Sequence, residues 1–81
     1  MWHEGTIGLD GPNNTTILAH YWIKTYDAGS EYGINGGRIS KLQITIGGRT
    51  VANYDRGWDI KPDENNKEAM QAYTIIINNY N

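Results

Sequence analysis

The chain has no cysteine, no phenylalanine, only two prolines and no apolar run of membrane-spanning length. Without cysteine there is no disulfide framework and no Cys-ligated zinc or iron–sulfur centre. A transmembrane helix needs roughly 20 consecutive apolar residues, so the sequence argues against a membrane partner. Met1-Trp2-His3-Glu4-Gly5 has no basic stretch leading into an apolar one and does not read as a secretory signal. The expected location is the cytoplasm. Charge is also scarce and dispersed: 7 Lys+Arg against 9 Asp+Glu give a net −2. Nucleic-acid binding draws most of its affinity from neutralised phosphates, so this balance argues against nucleic acid as the main partner. Nor is there the dense acidic strip of a nucleic-acid mimic. The 81 residues bound the protein to one small domain over 1–81, too short for a (β/α) barrel, a doubly wound dinucleotide fold or a kinase.

What is present in quantity is tryptophan and tyrosine, which are three and six in number and supply every aromatic ring. Each has a polar end, which suits half-buried strand positions and interfaces. Trp2 to Leu9 alternates as a first strand, with His3, Gly5, Ile7 and Leu9 on one face. Asp10-Gly11-Pro12-Asn13-Asn14 is dense in turn formers and joins it to a second strand, Thr15 to Asp27. There Ile17, Ala19, Tyr21 and Ile23 mark the core face, and Leu18, His20, Trp22, Lys24 and Tyr26 the other. Ala28 to Gly37 reads as a long glycine-rich loop, and such loops are either functional or mobile. Leu42, Ile44 and Ile46 alternate with polar residues in a third strand, Arg38 to Ile46. Gly47-Gly48 then predicts a two-residue hairpin. That turn fixes the register: Ile46 should oppose Arg49, Ile44 should oppose Val51 and Leu42 should oppose Asn53, since a slip by one residue would send the Ile/Leu set to the other face. The fourth strand ends near Tyr54-Asp55, and Arg56 to Ile60 reads as irregular.

Pro62-Asp63-Glu64 resembles a helix start. Ala69, Tyr73, Ile76, Ile77 and Tyr80 then recur at helical spacing. An amphipathic helix over Asp63 to Asn79 follows; the β-prone run Tyr73 to Ile77 leaves a terminal strand as the alternative. The fold class is α+β: a four-stranded antiparallel sheet (β-β-β-β-α) with one C-terminal amphipathic helix packed on one face. The helix should cover Ile17, Tyr21, Ile23, Leu42, Ile44, Ile46 and Val51. The opposite face, with Trp22 and Trp2, stays at least partly open.

Catalytic patterns are missing. There is no G-x-S-x-G elbow, and no serine can be paired with His20 to form a triad. His3, His20 and Glu4 lack H-x-x-x-H or H-E-x-x-H spacing and read as strand histidines rather than metal ligands. Gly33-Ile34-Asn35-Gly36-Gly37-Arg38 runs into a strand, whereas a phosphate loop runs into a helix N-terminus. Asp55 and Asp59 flank Trp58, but so short a chain has little room for a glycosidase cleft. The two Asn-x-Thr matches at Asn13 and Asn14 are chance without secretion. The sequence calls for no cofactor and no metal. The segment Asn53 to Asp59 concentrates interaction-capable groups. It reads either as a binding edge or as a structural corner, in which Trp58 packs under the helix and Arg56 pairs with Asp55, Asp59 or Glu31.

Two segments carry a resemblance: Glu31-Tyr32-Gly33-Ile34-Asn35-Gly36-Gly37-Arg38-Ile39-Ser40-Lys41-Leu42 and Val51-Ala52-Asn53-Tyr54-Asp55-Arg56-Gly57-Trp58-Asp59. The chain resembles small uncharacterised proteins of phages and prophages of Gram-positive bacteria. The resemblance implies a context, since short phage accessory genes often encode antagonists of host defence, including anti-CRISPR proteins. The expectation is therefore a non-enzymatic accessory protein of the host cytoplasm that binds a host or defence-system protein. Its contact residues would be Trp22, Tyr26, Tyr32, Arg38, Tyr54, Arg56 and Trp58. A homodimer through the open face or an unprotected edge strand is a further expectation. The alternatives are an accessory single-stranded nucleic-acid-binding protein, using Lys24, Arg38, Lys41, Arg49 and Arg56, or a nucleotide-sequestering protein using the glycine loop.

Overall fold

The computed structural model describes residues 1–81. Five antiparallel strands follow one another in a meander: β1 (Trp2–Asp10), β2 (Thr16–Thr25), β3 (Ile39–Ile46), β4 (Arg49–Asp55) and β5 (Trp58–Ile60). One helix, α1 (Lys67–Tyr80), closes the chain and lies across one face of the sheet. The antiparallel sheet with a C-terminal helix is as the sequence pattern predicts, but there are five strands rather than four. The additional strand exists because Arg56 takes a left-handed conformation (φ 59°) and Asp55 N–H donates to the Gly57 carbonyl at 2.9 Å. That tight turn folds Trp58 back against Tyr54. Three residues are too few for an alternating pattern to announce.

The core lies between sheet and helix. Leu9, Ala19, Ile23, Leu42, Ile44, Ala52 and Tyr54 from the sheet meet Ala72 and Ile76 of the helix. Alanines at the contact let the helix axis approach closely. Of the residues expected beneath the helix, Ile23, Leu42 and Ile44 are fully buried, whereas Ile17, Tyr21, Ile46 and Val51 are half-buried. The Tyr73–Ile77 run is helical, not a strand. Burial of one stripe outweighs the weak β preference of these residues. The helix begins at Lys67, later than Asp63. Asp63 instead folds an Asx turn, its carboxylate accepting from Asn65 N–H at 2.9 Å, and Asn66 caps the helix by accepting from Ala69 N–H at 3.0 Å.

The β3–β4 hairpin turns at Gly47 and Gly48, whose φ values of 60° and 75° suit a tight turn of positive φ. Ile46 opposes Arg49 as expected, but the rest of the expected register is corrected. Ile44 opposes Ala52 and Leu42 opposes Tyr54, because Val51 is an extra residue, a β-bulge. The bulge turns Ala52 and Tyr54 into the core in place of Val51 and Asn53.

Backbone hydrogen bonds tie the glycine-rich segment together. Tyr26 N–H donates to the Arg38 carbonyl at 3.0 Å and Ser30 N–H to the Gly37 carbonyl at 3.2 Å. A short 3-10 turn at Ile34–Gly36 buries Ile34 beside the core. Asn81 clasps both ends: its side chain donates to the Ile34 carbonyl at 2.9 Å and accepts from Ile39 N–H at 3.0 Å. No helix is long and apolar enough to cross a membrane.

Candidate functional site

Lys24, Lys41 and Asp55 stand opposite one another on β2, β3 and β4, on the face of the sheet away from the helix. Lys24 directly opposes Lys41. Like charges facing each other across a sheet are destabilising, so the pair needs compensation. Lys41 has it in part, with its Nζ 3.9 Å from the Asp55 carboxylate. The Lys24 ammonium sits 5.8 Å from the Trp2 ring centre and 5.4 Å from that of Tyr26. It is therefore held by aromatic faces rather than by an acid.

The far wall is built by the glycine-rich loop and the β4–β5 turn. Tyr32 from the loop carries the Arg56 guanidinium over its ring at 4.9 Å. Beneath it the buried Tyr54 donates its hydroxyl to the Tyr32 carbonyl at 2.7 Å. Arg56 holds a left-handed backbone conformation that costs a non-glycine residue about 1 kcal/mol or more, and strain of this kind concentrates at functional sites. The result is a cleft of about 570 Å³ lined by Lys24, Tyr26, Ser30, Tyr32, Ser40, Lys41, Asp55 and Arg56. Three cations face one carboxylate in a protein whose total charge is −2. A smaller hollow of about 250 Å³ adjoins it, sharing Lys41 and Asp55 and walled by Trp2 and Trp22. The Trp22 indole N–H donates to the Glu4 carboxylate, and His20 stacks on Trp22 at 6.3 Å. Trp2 and Tyr26 are 61% and 53% exposed.

The seven residues singled out in the sequence are thus dispersed. Tyr26, Tyr32 and Arg56 line the cleft and Trp22 lines the adjoining hollow. Tyr54 supports the cleft from below and is only 7% exposed. Trp58 packs edge-on between Tyr54 (5.0 Å) and Tyr73 of the helix (5.6 Å), as the structural reading of that corner has it. Arg56 departs from that reading, since it stacks on Tyr32 rather than pairing with an acid. Arg38 donates to the Tyr80 carbonyl at 2.9 Å, at the C-terminal end of the helix and away from the cleft. Of the proposed basic strip, Lys24, Lys41 and Arg56 converge. Arg49 lines a different hollow, with Ile60 and Lys61. The cleft also includes Ser30 and Ser40, which no spacing in the sequence marks.

The two histidines lie on opposite faces. His3 packs at 4.9 Å from the Tyr80 ring and bonds Thr25 through Nε2 at 3.1 Å, whereas His20 bonds Thr6 through Nδ1 at 3.0 Å. No three His, Asp or Glu side chains are grouped as metal ligands. On the helix side, Tyr21 and Tyr80 share a hydroxyl–hydroxyl bond of 3.0 Å. That bond, then burial and the neighbouring Tyr80 charge, push the Tyr21 hydroxyl up to about 12. Burial likewise raises the Tyr73 hydroxyl, opposed by a hydrogen bond with Asn35.

The chain belongs to a family described as a domain of unknown function (DUF7678), whose model matches residues 1–81. No curated protein and no solved structure matches it.

Proposed function

We propose that the protein is a non-enzymatic binding module of phage type that acts in the host cytoplasm by docking on a host or defence-system protein. Inhibition of a defence system, of which an anti-CRISPR is one example, is the outcome that fits this context. The observation that carries the reading is the gathering of Tyr26, Tyr32 and Arg56 with Lys24 and Lys41 around one cleft, beside the exposed Trp2 and Trp22. Aromatic rings and arginine are the usual anchors of a protein interface. The excess of cations directs the cleft toward an acidic group on the partner.

The test compares the wild-type chain with a Trp22→Ala/Tyr32→Ala/Arg56→Gly variant. Glycine suits the left-handed position of Arg56, and the other two side chains are exposed, so this variant should fold. Expressed in Gram-positive cells that restrict a phage, the wild type should restore plaque formation and capture one defence component at stoichiometric yield. The variant should do neither. Equal behaviour of the two proteins, or capture of nothing above background by the wild type, would refute the proposal.

A second reading, single-stranded nucleic acid, is favoured by one specific feature: Lys24 and Arg56 lie over the rings of Trp2, Tyr26 and Tyr32, with Lys41 lining the same cleft, and cations beside exposed rings are what single-stranded bases stack on. Titration with a short single-stranded oligonucleotide, read by tryptophan fluorescence, separates the two. Under this reading log K falls with log salt with a slope of about −2, as three neutralised phosphates require. No quenching at low salt removes it.

A further inference from the structure

We infer that β1 is a self-association edge: two copies join through it in antiparallel register centred on Thr6, giving a two-fold dimer with one continuous sheet. The inference goes beyond the proposed function and does not depend on it.

The two edges of the sheet are unlike. β5 has three residues; β1 has nine and pairs with β2 without interruption, whereas each of the other three pairings contains a register shift. Proteins protect exposed edges with lysine, proline, bulges or very short strands. β5 is short, whereas β1 has no lysine, proline or bulge, and of its two carboxylates Glu4 already accepts from the Trp22 indole.

The hydrogen-bond phase identifies the free groups. Met1 and Thr25 exchange both backbone bonds, at 2.6 and 2.8 Å, and Gly11 N–H donates to the Thr15 carbonyl at 2.8 Å. Bonded and non-bonded pairs alternate along an antiparallel ladder. His3, Gly5, Ile7 and Leu9 are therefore bonded to β2, while Trp2, Glu4, Thr6, Gly8 and Asp10 point N–H and C=O away from the sheet. All five outward residues are also exposed.

Charge then selects the register. With Thr6 opposite Thr6 of the second copy, Glu4 meets Gly8, Trp2 meets Asp10, and the whole strand is used. A shift by two residues one way sets Glu4 against Asp10; a further shift the other way sets Glu4 against Glu4. Only the Thr6-centred pairing combines full overlap with no opposed carboxylates. A two-fold axis normal to the sheet keeps both helices on one side. The exposed Trp2 and Trp22 of both copies then lie on the other, so the dimer extends the face that carries the cleft.

The absence of cysteine makes the test clean. Residues in a bonded antiparallel pair have Cα atoms about 5.5 Å apart, within disulfide range. Thr6→Cys should therefore cross-link on mild oxidation far faster than Leu18→Cys, which is also exposed but one strand further in. Sedimentation of the wild-type chain should show a monomer–dimer equilibrium. Gly8→Glu, opposite Glu4 twice over, should weaken it roughly tenfold, and Gly8→Lys should tighten it. A Cβ at Gly8 meets only Thr16 Cγ2, at 3.4 Å, so both variants keep the fold. A wild type that sediments as monomer at every attainable concentration would overturn the inference. So would Thr6→Cys linking no faster than Leu18→Cys, or Glu and Lys at position 8 shifting the equilibrium in the same direction.

Discussion

Removing one residue from the middle of a strand usually reverses every side chain beyond it and destroys the fold. Val51 should be an exception. It is the unmatched residue between the Ile44–Ala52 and Thr45–Thr50 pairs. Its deletion leaves Ile46 opposite Arg49, Thr45 opposite Thr50, Ile44 opposite Ala52 and Leu42 opposite Tyr54, so no side chain changes face. The loss is the half-buried valine itself, where full burial of such a side chain is worth about 1.5–3 kcal/mol, together with the twist that the bulge provides. The net cost should be about 1–2 kcal/mol, against a total of roughly 4–12 kcal/mol for a chain of this length. Deletion of Gln43 is the contrast. It turns Leu42 and Ile39 out of the core, and each such loss costs about 2–5 kcal/mol, so that protein should not fold. Urea denaturation followed by tryptophan fluorescence measures both, with amide NMR to confirm the ladder. Loss of cooperative unfolding on Val51 deletion, or a cost above about 4 kcal/mol, would refute the bulge argument.

Three further outcomes are expected. Asn81→Ala leaves the Ile39 N–H and Ile34 carbonyl without the amide that joins them; it should cost about 2 kcal/mol in denaturant midpoint analysis and speed amide exchange across residues 33–39. Gly33→Ala places a Cβ 1.9 Å from the Gly37 carbonyl oxygen, a backbone atom that cannot swing aside. A loss of about 3 kcal/mol should follow, and a neutral result would show the loop packed differently. The Tyr21 hydroxyl ionises near 10 when unfolded and near 12 when folded. Its contribution is thus fully present below pH 10 and is lost as pH rises toward 12. The stability gap between wild type and Tyr21→Phe should narrow over that window, and a constant gap would count against the Tyr21–Tyr80 bond.

Much of the fold was legible because strand alternation and helical spacing are local. The odd residues of β2 and the Leu42-Ile44-Ile46 series declare their faces without reference to the rest of the chain. The Gly47-Gly48 turn sets where the hairpin begins, yet nothing nearby announces that Val51 bulges. Alternation by itself would place Val51 and Asn53 inward. Packing decides otherwise, because it is Tyr54 that reaches both Trp58 and the Tyr32 carbonyl. The site was legible in part for the same reason. Tyr26, Tyr32 and Arg56 were recognisable as residue types suited to contact, but Lys24 and Lys41 join them only through strand register. Arg38 and Trp58 were equally suitable types, yet the fold directs them to the helix terminus and to a half-buried place against the core.

An antiparallel sheet, a C-terminal amphipathic helix and an abundance of tryptophan and tyrosine follow from periodicity and composition within a few residues. The fifth strand, the bulge, the Asn81 clasp and the basic cleft arise only once the chain is packed. Each depends on groups far apart in the chain being brought within a few ångströms, and the free energy that holds them there belongs to the packed whole rather than to any one segment.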